Sequence, residues 1–209
     1  MKKIIVSFIA LLFTLSAYAQ TQVGPVAGVN MAMFRYSESV DHNSYRIGYS
    51  LGIKSSTNFG KIFAFQPALI WNNIGGKQKD GDNSNTNSIN YLALPLNLAI
   101  RLGDEDGGQF QVFLGPYVGY ALSGKEKTKL GDNENTSEIK FGSDSDKTKP
   151  GDYGLNIGIG YKTGGALFNL GYGLGLANLS NSSGAGSTKA YNSVVSLNVA
   201  FLFGKSGSE

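Results

Sequence analysis

The sequence contains no cysteine, a single histidine and a single tryptophan among its 209 residues. Without cysteine the chain has neither disulfide bonds nor thiolate chemistry, so its stability must come from the fold or from surrounding lipid. The formal net charge of +3 includes Lys2 and Lys3, which lie in an N-terminal segment with the pattern of a cleaved leader. The small remaining charge gives no support for nucleic-acid binding.

Long hydrophobic runs are missing except at the N-terminus. The apolar run from Ile4 to Ala17 has 14 residues, whereas a transmembrane helix needs about 20. The basic start before this run and the small residues Ala17 and Ala19 at its end are typical of a secretory signal peptide. We expect a signal peptide over 1–19 and a single domain over 20–209. Because no second stretch of about 18 apolar residues follows, a transmembrane helix in that domain is excluded.

Apolar and polar or small residues alternate with a period of two along most of the remaining chain, which predicts β-strands. In the clearest case the apolar residues of 191–203 share one face, opposite Ser196, Asn198 and Ala200. Gly164-Gly165 between two such runs predicts a hairpin. Each run is long enough to cross a bilayer as a tilted strand, which takes about 9 to 11 residues. Eight runs show the pattern: 23–34, 45–56, 61–72, 89–102, 109–122, 152–162, 168–176 and 191–203.

The connections between these runs alternate in length. Those at 57–60, 103–108 and 164–165 are short, and those at 35–44, 73–88, 123–150 and 179–190 are long. Outer-membrane barrels have short periplasmic turns and long extracellular loops. With the start of the domain in the periplasm, eight crossings place every long connection outside the cell. The sequence therefore predicts an all-β fold, a single antiparallel up-and-down transmembrane β-barrel of about eight strands.

The polar face of the runs distinguishes a membrane barrel from a soluble one, such as a periplasmic lipid carrier. A soluble barrel would be rich in Lys, Glu, Asp and Thr outside, whereas the polar face here is mostly Gly, Asn, Gln, Ser and Ala. Such residues suit the narrow interior of an eight-stranded barrel. We expect a hydrogen-bonded plug there, with a narrow channel as the alternative. The predicted interior residues are Arg46, Lys54, Gln66, Asn97, Arg101, Gln111, Tyr117, Asp152, Asn156, Lys162, Asn169 and Asn198.

Aromatic residues stand at both ends of the apolar face, as in the girdles at the two interfaces of membrane barrels. One set lies toward the long connections: Tyr45, Trp71, Tyr120, Tyr153 and Tyr191. The other set lies toward the short connections: Phe63, Phe110, Tyr161, Phe168 and Phe203. We expect both sets at the membrane interfaces.

Four prolines, Pro25, Pro67, Pro95 and Pro116, lie inside the predicted strands. A closed barrel has no free edge, so each proline removes one ladder hydrogen bond. We expect β-bulges at these positions, or strand ends displaced by a few residues.

Several segments resemble one family of membrane proteins. They are GPVAGVN at 24–30, YLALPLNLAIRL at 91–102, GPYVGYALSGK at 115–125 and DYGLNIGIGYKTGGALFNLGYGLGLANLS at 152–180. In these segments the chain is similar to the outer-membrane β-barrel domain family that includes the PorT-like proteins of Bacteroidota. The resemblance implies a barrel inserted in the outer membrane of a Gram-negative bacterium by the barrel assembly machinery. It implies no particular activity, since most members that resemble the chain have no assigned biochemistry.

His42 is the candidate for catalysis, because it lies beside Asp41 and near Ser37, Ser39 and Ser44 in the first long connection. Some small outer-membrane barrels modify lipid A with a histidine, a serine and a carboxylate near the outer leaflet. No nucleophile motif flanks His42, so we expect a solvated loop histidine and no enzyme. A lipid A-modifying enzyme that uses His42 stays the alternative.

The second long connection contains KDGDNSNTN, in which Asp80 and Asp82 present oxygens of the kind that calcium prefers. The distal Glu of an EF-hand loop is missing, because Tyr91 stands at its position. Turn chemistry explains the stretch without a metal. We therefore expect neither a metal site nor a cofactor.

The third long connection carries six lysines and six acidic residues between Ser123 and Pro150. Such a charge run is typical of a mobile, solvated loop, although lysines on an outer surface also suit the phosphates of lipopolysaccharide. We predict an outer-membrane barrel with a structural or surface-interaction role. Its expected partners are outer-membrane lipid and lipopolysaccharide, the barrel assembly machinery, and an envelope or extracellular protein as a further candidate.

Overall fold

Ten β-strands make up the regular structure of the computed structural model, which describes residues 21–37, 43–104, 107–144, 147–181 and 188–204, the side chain of Asp104 excepted. The predicted signal peptide lies outside these residues. No helix in the described ranges is long and apolar enough to cross a membrane. The strands are β1 (Thr21–Tyr36), β2 (Asn43–Ser44), β3 (Arg46–Phe59), β4 (Phe63–Asp80), β5 (Asn83–Asp104), β6 (Gly108–Leu130), β7 (Asn133–Glu138), β8 (Gly151–Thr163), β9 (Ala166–Gly175) and β10 (Ala190–Phe201).

Eight of these strands close into a ring. The order is β1-β3-β4-β5-β6-β8-β9-β10, every pair is antiparallel, and β10 pairs back with β1. The short strands β2 and β7 pair with β4 and β6. The predicted antiparallel up-and-down barrel is confirmed. We call the end with the β3–β4, β5–β6 and β8–β9 connections the short-turn end, and the opposite end the long-loop end.

The strand register fixes the tilt of the strands. Following paired residues once around the ring from Met31 leads back to β1 at Thr21, ten residues away. Eight strands about 4.8 Å apart, displaced by ten residues at about 3.3 Å each, tilt by about 40°. The same dimensions give a backbone radius of about 8 Å, which leaves space inside for little more than side chains.

Apolar side chains line the outside of the ring, whereas the inside holds most of the polar side chains of the strands together with buried apolar clusters. On β8, for example, Leu155 and Ile159 are exposed, whereas Asp152 and Lys162 are buried. Similar exposed apolar residues occur on all eight strands of the ring. A continuous apolar surface of this kind suits lipid rather than water.

Glycines on the inner face make room for larger interior side chains. A Cβ at Gly158 would come within 2.3 Å of the Leu170 carbonyl oxygen and 2.4 Å of the Phe113 ring. Phe113 is buried, so its ring occupies the space that a side chain at 158 would need. Packing therefore requires glycine at this position, although glycine weakens an ordinary strand.

The four prolines leave short gaps in the strand ladders without shifting the register. Around Pro67, Lys54 pairs with Ala68 and Thr57 pairs with Phe65, which is the same register on both sides of the gap. Similar gaps occur beside Pro25, Pro95 and Pro116. The bulges predicted at the prolines are therefore wrong. A missing N–H removes one ladder bond but does not force an extra residue into the strand.

Two segments predicted as long loops are strands over much of their length. Residues 73–88 form the outer part of the β4–β5 hairpin, and residues 123–138 belong to β6 and β7. The hairpins turn at Gly81 and Gly131, which have φ angles of +57° and +58°, a conformation that favours glycine. The loop predictions for these parts are wrong because both faces of these strands are polar, so the apolar alternation is lost.

Candidate functional site

A layer of amide side chains crosses the barrel interior near the short-turn end. Gln66 Nε2 donates to Gln111 Oε1 at 2.8 Å, and Gln111 Nε2 donates to Asn169 Oδ1 at 2.8 Å. Closer to that end, Arg101 Nη2 donates to Ser56 Oγ at 2.6 Å. Because these residues come from β3, β4, β5, β6 and β9, their hydrogen bonds tie distant parts of the ring together.

A small cavity of about 120 Å³ lies inside the ring, lined by residues that include Lys54, Phe113, Tyr117 and Asp152. Lys54 Nζ lies 5.9 Å from the centroid of the Phe113 ring. Asp152 Oδ2 accepts hydrogen bonds from Tyr117 at 3.1 Å and from Asn192 at 2.8 Å. A cavity of this volume has room for a few water molecules.

An apolar cluster fills the interior at the long-loop end. Its buried members are Ala32, Phe34, Ile74, Ile89, Tyr91, Ala121, Ala177 and Leu179. Ala177 and Leu179 come from the connection after β9, and Ile139 and Phe141, from the segment after β7, pack against the cluster. Side chains from both loops and strands therefore seal the mouth of the barrel. We call this cluster the apolar seal.

Hydrogen bonds hold the loop segments over the mouth. Lys149 N donates to Leu179 O at 2.9 Å, and Leu179 N donates to Ala190 O at 2.9 Å. Asn181 Nδ2 donates to the carbonyl oxygens of Gly142 and Lys147, at 2.7 and 3.0 Å. The described parts of these loops thus form an ordered cap over the apolar seal.

The structure places the predicted interior residues as follows. Lys54, Gln66, Asn97, Arg101, Gln111, Asp152, Lys162 and Asn169 are buried, and Tyr117, Asn156 and Asn198 line the cavity. Arg46 differs, because its Nη2 donates to Asn73 Oδ1 at 2.6 Å and to Ser88 Oγ at 2.8 Å. Asn73 directly precedes the inward-facing Ile74 in β4, and Ser88 directly precedes the inward-facing Ile89 in β5. Because successive side chains of a strand point to opposite faces, both partners of Arg46 lie on the outward side of the sheet. Sequence reasoning missed further buried polar residues that share the same period-two faces: Gln22, Asn30, Ser50, Gln109 and Asn192.

The aromatics predicted at the membrane interfaces lie on the outside of the ring. Tyr45, Phe63, Trp71, Phe110, Tyr120, Tyr153, Phe168 and Phe203 are exposed. Tyr161 and Tyr191 are half-buried, because the Tyr161 ring lies 4.8 Å from the Phe110 ring and the Arg35 guanidinium lies 5.4 Å from the Tyr191 ring. Trp71 and Tyr120 flank Leu92 at one level of the ring, and we call this level the upper aromatic belt.

The candidate catalytic and metal residues do not form a described site. His42 lies outside the described residues. Asp80 is the last residue of β4, and Asp82 lies in the turn that follows. Across the described ranges, no group of three or more His, Asp or Glu side chains is placed to hold a metal ion.

Beyond the upper aromatic belt, four strands continue as a sheet of their own. This outer sheet consists of residues 73–80, 83–90, 123–130 and 133–138, in that order across the sheet. Gly131 N donates to Asn83 Oδ1 at 3.0 Å, which joins the tips of its two hairpins. On the inner face Asn85 Nδ2 donates to Glu126 Oε1 at 2.7 Å. The outer sheet is therefore an ordered platform at the long-loop end.

A β-bulge at the base of the outer sheet decides which way the side chains of β6 point. Asn90 pairs with Ser123 and Tyr91 with Ala121, so Leu122 is an extra residue in β6. Before the bulge Ala121 points inward, as a member of the apolar seal. After the bulge Gly124 is the next inward-facing residue, and Ile139 and Phe141 occupy the space beside it. Such a one-residue shift moves every following side chain to the other face. The lysines at 125, 127 and 129 consequently face outward.

Cross-strand pairing brings these lysines together with two from β4. One row across the sheet is Lys77, Thr86, Lys127 and Thr136, and the next is Lys79, Ser84, Lys129 and Glu134. The five lysines Lys77, Lys79, Lys125, Lys127 and Lys129, which we call the basic face, therefore share the outward side of the outer sheet. Lys127 Nζ pairs with Glu134 Oε1 at 2.7 Å, and Glu138 stands opposite Lys125.

Comparison with known proteins agrees with this architecture. A family model described as an outer membrane protein beta-barrel domain matches residues 18–181. No curated protein matches the chain. The narrower likeness to PorT-like proteins stays a prediction.

Several solved structures are similar to the chain at low sequence identity. Neisserial surface protein A is 12% identical, with 87% of this chain and 97% of that chain covered and a TM-score of 0.46. Ail, the attachment invasion locus protein of Yersinia pestis, is 11% identical, with 88% and 99% covered and a TM-score of 0.45. The N-terminal β-barrel domain of Pseudomonas aeruginosa OprF is 13% identical, with 88% and 99% covered and a TM-score of 0.36.

Proposed function

The chain belongs to the outer membrane protein β-barrel domain family, and on that premise we propose that it is a non-conducting, non-catalytic barrel that carries the outer sheet at the cell surface. In this proposal residues 1–19 are a cleaved export signal and 20–209 form the barrel domain. The barrel assembly machinery inserts the domain with its long-loop end outside the cell. The role of the protein is then structural or interactive, and it is exercised through the outer sheet.

The observation that carries the proposal is the filling of the barrel at two levels. The amide layer of Gln66, Gln111 and Asn169 crosses the interior near one end, and the apolar seal fills the other. Apolar side chains at the mouth disfavour the passage of water and ions, and the amide groups of the layer bond to one another across the interior. The interior therefore supports an anchor rather than a pathway.

Conductance in planar lipid bilayers tests the proposal. The refolded chain, shown to be inserted by a heat-dependent shift in gel mobility, should give no stepwise current at any applied voltage. A porin measured in the same bilayer serves as the positive control. Reproducible unitary steps from the refolded chain would show that the amide layer and the apolar seal do not close the barrel, and the narrow channel would replace the anchor as its function.

A further inference from the structure

The basic face lies on the side of the outer sheet that continues the lipid-facing side of the same strands. On β4 the outward series runs from Leu69 and Trp71, which are exposed apolar residues, through Asn73 and Gly75 to Lys77 and Lys79. The lysines thus point sideways over the membrane, whereas the opposite side of the sheet faces the cap. A surface in this position meets the membrane's own sugars and phosphates before it meets a soluble partner.

The height of the lysines follows from the strand geometry. Lys77 and Lys79 lie six and eight residues beyond Trp71 in β4. At about 3.3 Å per residue and a tilt of about 40°, they stand about 15 and 20 Å above the upper aromatic belt. The headgroup region adds only about 5 to 8 Å to each side of the hydrocarbon core. The basic face therefore lies at the level of sugars that extend from the outer leaflet.

The chemistry of the basic face suits phosphate groups. The lysines of β4 lie on one side, and those of β6 on the other side, of the outward-facing hydroxyl side chains of β5, which are Ser84, Thr86 and Ser88. Because β5 lies between them, β4 and β6 are about 10 Å apart. One phosphate can therefore contact a lysine of β4 or of β6 together with a hydroxyl of β5. Lysine ammonium groups and hydroxyl donors are the common partners of phosphate oxygens in proteins. Five lysines against the two glutamates Glu134 and Glu138 leave the face net positive.

Arg46 extends the basic face toward the membrane. Its guanidinium donates to Ser88 Oγ, and Ser88 pairs across the strands with Lys125. Within the described part of the chain, Arg46 Nη1 is a buried donor that has no hydrogen-bond partner. The hydrogen bonds of Nη2 to Asn73 and Ser88 therefore hold the guanidinium charge at the base of the basic face.

We infer that the basic face binds the phosphate groups of lipopolysaccharide in the surrounding outer leaflet. This inference rests on the proposed function, because it requires the long-loop end to lie outside the cell. It names lipopolysaccharide as the partner of the outer sheet. The binding ties the outer sheet laterally to the membrane.

The test measures binding of purified lipopolysaccharide to the refolded chain in detergent micelles at low ionic strength. The variant Lys125→Gln, Lys127→Gln, Lys129→Gln removes three lysines of the basic face. The matched control Lys140→Gln, Lys149→Gln, Lys189→Gln removes the same charge from exposed lysines elsewhere. Each basic residue near an anionic surface contributes about fivefold in affinity, so the first variant should bind about a hundredfold more weakly and the control within about threefold of the parent chain.

Phosphate removal and a soluble competitor distinguish the possible sources of the anion. Lipopolysaccharide stripped of its phosphates should bind the parent chain as weakly as the intact form binds the first variant. Equal binding by parent and first variant, or an equal loss in the control, would overturn the inference. It would also be overturned if a soluble sulfated polysaccharide bound the same lysines more tightly than lipopolysaccharide. Stepwise conductance, by contrast, would refute the proposed anchor and leave the lysine result standing.

Discussion

Replacing Gln111 by leucine should destabilise the barrel more than removing its whole amide layer. Gln111 exchanges hydrogen bonds with Gln66 and donates to Asn169. Gln111→Leu keeps about the same volume but leaves the Gln66 amide and the Asn169 oxygen without these partners, and Gln66 is fully buried. A buried polar group without its partner costs about 1–3 kcal/mol. With two such groups, the single variant should lose about 2–6 kcal/mol of unfolding free energy.

The triple variant Gln66→Leu, Gln111→Leu, Asn169→Leu is the matched comparison. Replacing all partners by apolar groups of similar shape is close to neutral, so it should lose less than the single variant. The assay is urea unfolding in micelles or liposomes, followed by the fluorescence of Trp71, the sole tryptophan, which lies exposed on the outside of the barrel. A single variant as stable as the parent, or a triple variant less stable than the single one, would refute the argument from buried hydrogen bonds.

Two further predictions concern interior glycines and His42. Gly158→Ala should lower the free energy of unfolding by more than about 2 kcal/mol in the same assay, because its Cβ would lie 2.3 Å from the Leu170 carbonyl oxygen. The matched variant Gly171→Ala should lower it by less than about 1 kcal/mol, because the nearest atoms lie 3.3 Å from its Cβ. Equal losses at the two sites would contradict the packing described around Phe113. For the proposed absence of catalysis, His42→Ala should leave the lipid A species of the host unchanged by mass spectrometry, and a new or missing lipid A species would favour the enzyme instead.

The barrel was predictable because its signals are local. The period-two alternation of β8 and β9 and the Gly164-Gly165 turn between them are present in the sequence and in the structure. Inside the membrane, lipid outside and a narrow polar interior impose the same pattern on every strand, so the number and pairing of the strands follow from the alternation.

The outer sheet was not predicted, because most side chains on both of its faces are polar and the apolar alternation is lost. Its turns did leave a signal: Gly81-Asp82 and Gly131-Asp132 are each followed by asparagine, and a glycine followed by aspartate is typical of tight hairpins. The period-two alternation of the sequence does not predict that Lys125, Lys127 and Lys129 face outward. Their direction depends on the extra residue Leu122, whose place is fixed by pairing with β5 and not by its own chemistry.

Arg46 is a second case in which the period-two alternation does not predict where a side chain lies. Alternation along β3 assigns it to the interior, yet its guanidinium contacts the outward-facing Asn73 and Ser88. Beyond the pair Ser50–Asn72, β4 pairs with β2, one residue out of register with β3. At such a change of register, a long side chain can contact partners that the alternation of strand residues alone does not predict.

The most direct test of the central claim, a closed barrel of eight membrane-spanning strands, is nuclear magnetic resonance of the refolded chain in detergent micelles. Closure depends on the pairing of the first and last strands, in which Met31 stands opposite Val195 and Val29 opposite Leu197. Nuclear Overhauser contacts between the backbones of these two strands, in that register, are the predicted result. An assigned spectrum with contacts between the other neighbouring strands but none between β1 and β10 would contradict the closed barrel.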